Sequence, residues 1–364
     1  MERADASGGD FCEQKKAMAV RVTAVLTLRN EGAFLLDWLA HHRACGITDF
    51  LVFSNDCSDG TDRMLDRLAG LGWLTHVRND GPHEKGPQWA ALQQAGQHPL
   101  VRKADWILVF DIDEFVNIHV GDRSLAALFA ALPEATAIPL TWRLFGNAGV
   151  VEFGDMPVPQ VFTHAAPAVL HWPWRAALFK TLFRNDGSYA KLGVHRPRSP
   201  LQNRLAGQRW FDGSGRALDP VFHTSRVFSD FGRDNYGLVQ LNHYALGAMQ
   251  SYLLKCDRGR ANRDAAAVNM DYWVERNFNQ EEDTSILQLD SHALRRDLAA
   301  DRILGPLHNA AVAWRHARFA QLMTAETWRA LFGRLLMTPG TRSLSQSESA
   351  LIWRHGKTAS STES

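Results

Sequence analysis

The chain has few cysteines, no excess of charge of one sign and no long apolar run. Its 364 residues include four cysteines, none of them in a C-x-x-C pair, so neither a disulfide framework nor a zinc cluster is indicated. Lys and Arg total 40 against 39 Asp and Glu, which gives no general attraction to nucleic acid or membranes. No stretch reaches the ~18 apolar residues of a membrane helix. We therefore expect no nucleic-acid partner and no transmembrane segment. The N-terminus also lacks the apolar core of a secretion signal, so we expect a cytoplasmic protein, free or peripheral at the inner face of the membrane.

Apolar segments of strand length alternate with helical patterns through the first third of the chain. The runs 22–28, 49–54 and 106–110 are apolar or β-branched almost throughout, as in strands buried on both faces. This alternation predicts an α/β fold with a mixed, mainly parallel sheet flanked by helices. The other predicted elements are a strand at 73–77, helices near 30–46, 58–72 and 86–97, a hairpin of two strands around an Asn-Asp-Gly turn in 177–195, a strand in 219–228, and helices near 243–256 and 290–337.

The composition indicates one large domain with flexible segments at both ends. Residues 1–18 are polar, residues 339–364 are rich in Ser and Thr, and no linker rich in Pro, Gly or Ser divides the interior. We therefore predict flexible tails at both ends, a single α/β domain over 19–290, and a helical C-terminal extension over 291–338.

Three acids follow a buried strand in the stretch "WILVFDIDEF". In extended backbone, residues two apart point to the same side, so Asp111 and Asp113 could share one target. Carboxylate oxygens with open coordination positions suit Mg²⁺ or Mn²⁺ bound to substrate phosphates. The alternative is a strand end held by hydrogen bonds and salt bridges. Further polar clusters at neighbouring strand ends favour the metal site.

Polar clusters follow each of the first three predicted strands, at the edge of the sheet where ligands of such folds bind. Arg29 and Glu31 come after the first strand, where they could pair with each other while Asn30 caps the helix. Asp56 follows the second strand and could accept hydrogen bonds from a base or ribose. Lys85 lies before a predicted helix N-terminus, which favours anions; a solvated surface lysine is the alternative.

The second half of the chain offers further candidates. His243 in "QLNHYAL" is predicted at a helix start and could complete a metal site, as could His195 in "KLGVH". The alternative for either histidine is an ordinary structural position in the core or on the surface. The carboxylates that could act as a catalytic base are Glu114, in the acidic stretch, and five in the second part of the chain: Glu152, Asp155, Asp212, Asp230 and Asp234. The segment "KCDRGRANR" could clamp phosphates or form a solvated helix end, and its cations are Lys255, Arg258, Arg260 and Arg263.

The ordered motifs R-N-E, S-N-D-x-S-D-G-T, D-x-D-E-F, G-V-H and N-H-Y, spread over about residues 20–265, resemble the glycosyltransferase family 2 superfamily. Within it, they are similar to a bacterial branch that resembles family 92. The resemblance implies a GT-A fold, a UDP- or GDP-sugar donor, a carbohydrate or glycolipid acceptor, and Mn²⁺ or Mg²⁺. It also implies site residues: Asp111, Asp113 and His243 for the metal; Arg29, Glu31, Asp56, Asp111, Lys255 and Arg258 for the nucleotide sugar. Lys85 is added to the nucleotide-sugar residues because of its place before a helix N-terminus.

One position departs from the family pattern. Asn55-Asp56-Cys57-Ser58 stands where typical family 2 chains have two adjacent acids, which leaves the nucleotide open. The resemblance favours an inverting transfer and a cell-surface polysaccharide or glycoconjugate as product. Among the candidate carboxylates we predict Glu114 and Asp234 as catalytic residues. The rival hypotheses are a nucleotidyltransferase, although no Gly-rich phosphate loop is visible, and a non-catalytic glycan-binding or scaffold protein.

Overall fold

The computed structural model describes residues 20–259 and 270–360, with side chains up to residue 354. The predicted strands at 22–28 and 49–54 are confirmed with the same bounds. In chain order the strands are β1 (Val22–Leu28), β2 (Asp49–Ser54), β3 (Thr75–Arg78), β4 (Trp106–Val109), β5 (Glu114–Ile118), β6 (Ala137–Leu144), β7 (His164–Ala165), β8 (Phe179–Arg184), β9 (Tyr189–Lys191), β10 (Arg198–Pro200), β11 (Val239–His243) and β12 (Glu281–Glu282).

Helices separate and flank these strands. In the described ranges, none combines the length and the apolar composition that crossing a membrane requires. In chain order they are α1 (Gly32–Ala44), α2 (Thr61–Gly70), α3 (Pro87–Ala95), α4 (Pro99–Arg102), α5 (Leu125–Ala131), α6 (Val158–Val161), α7 (Val221–Thr224), α8 (Met249–Arg258), α9 (Met270–Val274), α10 (His292–Ala299), α11 (Leu304–Leu322), α12 (Glu326–Met337) and α13 (Gln346–Ser360).

Eight strands form one sheet in the order β3-β2-β1-β4-β8-β6-β11-β5. Strands β3, β2, β1 and β4 run parallel to one another, and β6 is parallel to β11. Strand β8 runs antiparallel to both β4 and β6, and β5 runs antiparallel to β11 at the far edge. The predicted fold class, a mixed and mainly parallel sheet flanked by helices, is confirmed.

The central strands alternate their side chains between two cores, as the two-residue period of a strand requires. In β2, Phe50 and Val52 enter the core beneath α1 and α2, whereas Leu51 and Phe53 enter the core on the opposite face. Trp38 of α1 is fully buried in the first core, and burial of a side chain of this size contributes on the order of 2–3 kcal/mol.

Helix α1 also holds the strand that follows the acids. Trp38 Nε1 donates to the Glu114 carbonyl at 3.0 Å, and His41 Nε2 donates to the Val116 carbonyl at 2.8 Å. Burial lowers the pKa of His41 to about 4, so this imidazole is neutral at pH 7. The backbone of β5 is therefore tied to α1 by buried, uncharged side chains.

Several element predictions are wrong in detail. Strands β8 and β9 exist, but β8 pairs with β4 and β6 while β9 pairs with β10, so they form no hairpin. Residues 219–228 contain α7 and one isolated bridge instead of a strand. His243 is the last residue of β11, and the helix predicted to start there begins at Met249 instead. All five residues of β11 are buried, as in a strand that is covered on both faces.

The C-terminal helical extension is confirmed by α10, α11 and α12. Leu304 and Ala311 of α11 are buried in the main core, so the extension packs on the α/β domain. Helix α13 lies in the segment predicted to be a loose tail, and Ser349 Oγ donates to the His171 carbonyl at 2.9 Å. Residues 1–18 lie outside the described residues, and the predicted domain bounds remain predictions.

Candidate active site

A cavity of about 700 Å³, here called the polar cavity, lies at the carboxyl ends of β1, β2 and β4. All four predicted clusters contribute to its wall, since parallel strands end at the same edge of a sheet. From the first half of the chain the wall includes Arg29, Glu31, Asp56, Asp111 and Asp113. Later parts of the chain contribute further polar side chains: Lys180, His195, His243, Lys255, Arg258 and Arg276.

Asp111 forms an ion pair with a buried lysine. Lys180 of β8 is 1% exposed in its side chain, and its Nζ lies 2.7 Å from Asp111 Oδ2 and 3.7 Å from Glu114 Oε2. Burial by itself would lower the pKa of Lys180, but the two carboxylates more than offset it and raise that pKa. The lysine is therefore charged and balances the acidic loop from the centre of the sheet.

Asp113 has two cationic or basic neighbours. Lys255 Nζ lies 2.8 Å from Asp113 Oδ2 and also donates to the Ala245 carbonyl at 2.6 Å. His243 Nε2 lies 3.7 Å from the same carboxylate oxygen. Burial opposes ionisation of Asp113, yet Lys255 and His243 outweigh it and hold the pKa of this carboxyl well below its ordinary range. Asp113 is thus a permanently charged acid at neutral pH.

Glu114 stabilises the loop that carries Asp111 and Asp113. Its carboxylate is fully buried and accepts hydrogen bonds from Trp142 Nε1 at 2.6 Å and from the Asp111 amide at 2.8 Å. Burial raises its pKa well above the ordinary value, with Lys180 acting in the opposite direction. The predicted catalytic residue is therefore placed behind the cavity wall, where it positions Asp111.

Arg258 of α8 joins the late basic segment to the end of β1. Its guanidinium forms an ion pair with Glu31 and donates to the Arg29 carbonyl at 2.7 Å. The alternative pairing of Arg29 with Glu31 is wrong, and the exposed Arg29 side chain faces the polar cavity. Arg260 and Arg263 lie outside the described residues.

Asp56 occupies the wall opposite the D-x-D acids in a left-handed backbone conformation, with φ of 44°. One carboxylate oxygen accepts from Asn55 Nδ2 at 2.8 Å and the other from the Gly81 amide at 3.3 Å. Asn30, predicted as the cap of α1, instead accepts from the Ser58 amide at 2.7 Å, and Asp59 accepts from the Gly32 amide at 3.0 Å. The β1 and β2 loops are thus bonded to each other beside the cavity.

Two predicted site residues lie away from the polar cavity. Lys85 is exposed in the loop before α3 and is not part of the wall. Asp234 is also exposed, and its Oδ1 accepts from the Tyr236 amide at 2.8 Å. The structure gives neither residue a contact with the other site residues.

Sequence reasoning missed Lys180, the central cation of the site. A lysine in the otherwise apolar run "LFKTLF" was the available signal, because a lysine in a buried strand needs a partner. His195 was noticed only as a metal candidate. Its Nδ1 donates to the Phe179 carbonyl at 2.9 Å, and burial together with Lys180 lowers its pKa to about 4, so a neutral imidazole lines the wall.

A second cavity of about 260 Å³, here called the apolar cavity, adjoins the first. Both cavities share the wall formed by Glu31, Ile112, Asp113, Lys255 and Arg258. Most of the remaining wall is apolar and comes from α1, α6, α8, α11 and the loop after β6: Phe34, Phe153, Val158, Val161, Leu254 and Trp314.

The donor atoms beside Asp113 fit a divalent ion that takes only part of its coordination from protein. Among residues 20–259 and 270–354, no three His, Cys, Asp or Glu side chains meet as a ready metal cluster. Asp113 and His243 do converge, and buried His243 Nδ1 has no hydrogen-bond partner in these ranges. Ions such as Mg²⁺ often take one or two carboxylates and complete their coordination with substrate phosphates and water.

Comparisons with known proteins place the chain near one group of enzymes. A glycosyltransferase family 92 protein of Ricinus communis is 26% identical over 154 residues, or 38% of this chain and 25% of that protein. A family 92 protein of Arabidopsis thaliana is 26% identical over 139 residues, covering 37% of this chain and 23% of that protein. These relatives confirm the predicted resemblance to family 92. The chain spans about a quarter of the length of the curated relatives that it matches.

The other comparisons add little to this resemblance. No family model matches the chain. The crystal structure of S. aureus TarS aligns with 68% of this chain and 41% of that one, at 12% identity and a TM-score of 0.31. A CMP:2-keto-3-deoxy-manno-octonic acid synthetase complexed with CTP aligns with 46% of this chain and 75% of that one, at 11% identity and a TM-score of 0.25. The family resemblance therefore rests on the sequence relatives.

Proposed function

We propose that the protein is a glycosyltransferase that moves a sugar from a nucleotide sugar to an acceptor hydroxyl. The observation that carries this proposal is the convergence of Asp111 and Asp113 with Lys180, Lys255 and Arg258 around one cavity at the sheet edge. The similarity to proteins named as family 92 glycosyltransferases supports it.

The polar cavity suits a UDP- or GDP-sugar in size and charge. Its volume of about 700 Å³ lies within the range of small-molecule sites. We assign the nucleoside to the side with Arg29 and Asp56, because an exposed guanidinium and a carboxylate there can meet a base and a ribose. We assign the diphosphate to the side with Lys255 and Arg258, which carry cationic groups fixed by buried contacts.

We further propose that Mn²⁺ or Mg²⁺ assists. Asp113 and His243 would hold the ion, and Asp111 lies in the same loop with one oxygen directed at Gln88 Nε2 at 3.5 Å. When bound, such an ion neutralises charge on the donor diphosphate. Lys255 already bonds one Asp113 oxygen, so the protein supplies positive charge at this position by itself.

In the transfer, the acceptor oxygen forms a bond to the anomeric carbon while the bond from that carbon to the diphosphate oxygen breaks. The nucleoside diphosphate leaves with the electron pair, and fixed cations such as Lys255 stabilise that developing charge. A single displacement of this kind inverts the anomeric centre, and the hydroxyl proton passes to a carboxylate.

We propose Glu152 as that carboxylate. The other acids of the apolar cavity wall are engaged: Glu31 with Arg258, Asp113 with Lys255, and Asp257 with Arg318. Glu152 has no ion pair within the described residues and is exposed on this wall. Glu114 is fully buried and already accepts two hydrogen bonds, and Asp234 lies outside both cavities.

The decisive assay compares UDP- and GDP-sugars as donors, with Mn²⁺, with Mg²⁺ and after treatment with a chelator. Metal-dependent release of nucleoside diphosphate supports the transferase. Release of pyrophosphate from a nucleoside triphosphate and a sugar phosphate would support a nucleotidyltransferase instead. Absence of both activities, without any nucleotide binding, would leave the non-catalytic glycan-binding or scaffold alternative.

We also propose cell-surface polysaccharide or glycoconjugate synthesis as the process served, with the protein in the cytoplasm or on the inner face of the membrane. The relatives say nothing about either point. Cell fractionation and analysis of surface glycans in a deletion strain test both: unchanged glycans, or protein recovered outside the cell, would contradict them.

A further inference from the structure

The apolar cavity contains one feature that its apolar lining does not require. Arg315 of α11 is 6% exposed and forms part of the wall. Its guanidinium carbon lies 4.5 Å from the centre of the Phe34 ring and 4.8 Å from that of Phe153. A cation thus lies against two neighbouring aromatic rings inside the mainly apolar pocket.

This cation has no acid of its own. Within the part of the chain that the structure describes, Arg315 makes no salt bridge, and its Nε is buried without a hydrogen-bond partner. The nearby Glu31 is paired with Arg258. Burial lowers the pKa of Arg315 to about 10, which still leaves it charged at pH 7. A buried charge without a partner is costly, so a bound anion would relieve this cost.

The remainder of the wall selects the rest of the ligand. Val158 and Val161 of α6, Leu254 of α8 and Trp314 of α11 offer only apolar surface or an indole ring. Enclosed apolar walls favour apolar ligand groups, with a few polar groups setting the orientation. A free sugar seated against α6 and Trp314 would leave hydroxyls unsatisfied, so this part of the cavity suits an apolar group better than a carbohydrate.

We infer that the apolar cavity binds the acceptor, and that this acceptor is an anionic amphiphile carrying a hydroxyl group. Its apolar part packs against α6 and α8, its anionic group meets Arg315, and its hydroxyl lies at the shared wall beside Asp113 and within the cavity that Glu152 lines. The assignment of this ligand as acceptor rests on the proposed function; the binding of such a ligand does not.

The test measures binding of decyl phosphate, decanoate and decanol to the full chain, by calorimetry and Trp fluorescence below the micellar concentration. We expect both anions to bind at least about tenfold more tightly than decanol, a difference of ~1.4 kcal/mol. The two anions distinguish phosphate from carboxylate recognition. Equal affinity for decanol and both anions would overturn the inference.

Arg315→Met distinguishes ligand recognition from a structural role. We expect this variant to lose the preference for anions while its melting temperature stays the same or rises, because replacing a buried unpaired charge by an apolar group removes a desolvation cost. A large fall in melting temperature with the anion preference unchanged would show that Arg315 serves the fold alone.

Val161→Asp gives a second test that leaves Arg315 intact. An added carboxylate in the cavity wall repels the anionic probes, and we expect at least about a tenfold loss of decyl phosphate affinity. Met337→Asp is the matched control, since Met337 is 78% exposed on α12. Retained affinity in the Val161 variant would contradict the placement of the ligand.

Nucleotide binding measured on the same samples separates this inference from the proposed function. Decyl phosphate binding without any binding of UDP or GDP would refute the transferase but keep the ligand assignment. Sugar transfer to a simple water-soluble acceptor, with no binding of either anionic amphiphile, would refute the ligand assignment but keep the transferase.

Discussion

The polar and apolar cavities share a wall, but they differ in whether their buried charged side chains have a partner of opposite charge. In the polar cavity, Asp111 is paired with Lys180 and Asp113 with Lys255. In the apolar cavity, Arg315 is also buried, at 6% exposure against 0% for Lys180, but it has no carboxylate partner in the described ranges. Two buried cations therefore differ in whether an acid compensates their charge.

This difference indicates different ligands. A network of paired acids and lysines is stable when empty and can exchange partners with a ligand that brings several charges, such as a nucleotide sugar. A single unpaired cation is stabilised by one complementary anion. The two cavities are therefore distinguished more clearly by the pairing of their charged side chains than by their volumes.

The largest expected effect tests the paired side of the comparison. Asp113→Asn removes the charge that Lys255 and His243 share, and we expect sugar transfer to fall by about 10³-fold while the fold is retained. Steady-state nucleoside diphosphate release measures the rate, and circular dichroism checks the fold. Asp297→Asn, at an exposed position on α10, is the control. Turnover within a fewfold of the parent protein would refute the role of Asp113.

The next prediction concerns stability. Lys180→Met leaves Asp111 and the buried Glu114 without their cation, and we expect the free energy of unfolding to fall by about 3 kcal/mol. Urea denaturation measures this loss, and Lys103→Met at an exposed position is the control. Adding Glu114→Gln should recover part of the loss. If Lys180→Met lowered the free energy of unfolding no more than Arg315→Met does, the proposed difference between paired and unpaired cations would be contradicted.

A smaller effect is expected from pH, through the neutral histidines beneath the polar cavity. The pKa of buried His41 is about 4, against an ordinary 6.5, so between these values the unfolded chain binds a proton that the folded chain does not. Stability from this residue is present above pH 6.5 and is lost as the pH falls towards 4. We expect the contribution of His41 to the free energy of unfolding to be about 2 kcal/mol smaller at pH 5 than at pH 7.

His41→Gln tests this pH dependence. A Gln side chain does not titrate, so the difference between unfolding free energies measured at pH 7 and pH 5 should shrink by a comparable amount. His292→Gln, at an exposed position on α10, is the control and should leave the difference unchanged. An unchanged difference in the His41 variant would contradict the buried neutral state.

The smallest expected effect concerns the rim of the polar cavity. Arg29 is exposed, so its contact with a nucleotide is screened by water, and we expect Arg29→Gln to raise the donor KM about threefold with kcat unchanged. Donor titration under saturating acceptor measures this. A fall in kcat without a change in KM would place Arg29 at the reacting atoms instead of the nucleoside.

Much of the fold could be predicted from local patterns. Strands β1 and β2 were found because apolar, β-branched runs of strand length are unambiguous when both faces are buried. At His243 a helix start was predicted, although the apolar and polar residues of "VQLNH" alternate as they do in a strand; that alternation was the signal missed. The prediction of a strand over 219–228 was wrong because Phe222 packs into a core from α7, and only Phe228 forms a β-bridge.

The candidate site was predictable only where its residues follow strand ends. Arg29, Asp56, Asp111 and Asp113 met at one edge because parallel strands align their carboxyl ends. Lys85 and Asp234 had suitable chemistry, but the course of their loops carries them away from both cavities. Lys180 was missed because its partners lie about 70 residues earlier in the chain and only the pairing of β8 with β4 and β6 brings them close.

By itself, the sequence determined the α/β alternation, the edge at which polar clusters meet and the resemblance to a glycosyltransferase family, because these depend on short-range periodicity and ordered motifs. Tertiary structure alone decided which cation balances which acid, and that Arg315 is left without one. Ion pairs and cavities depend on distances between residues far apart in the chain, such as Arg258 and Glu31, which no local pattern specifies.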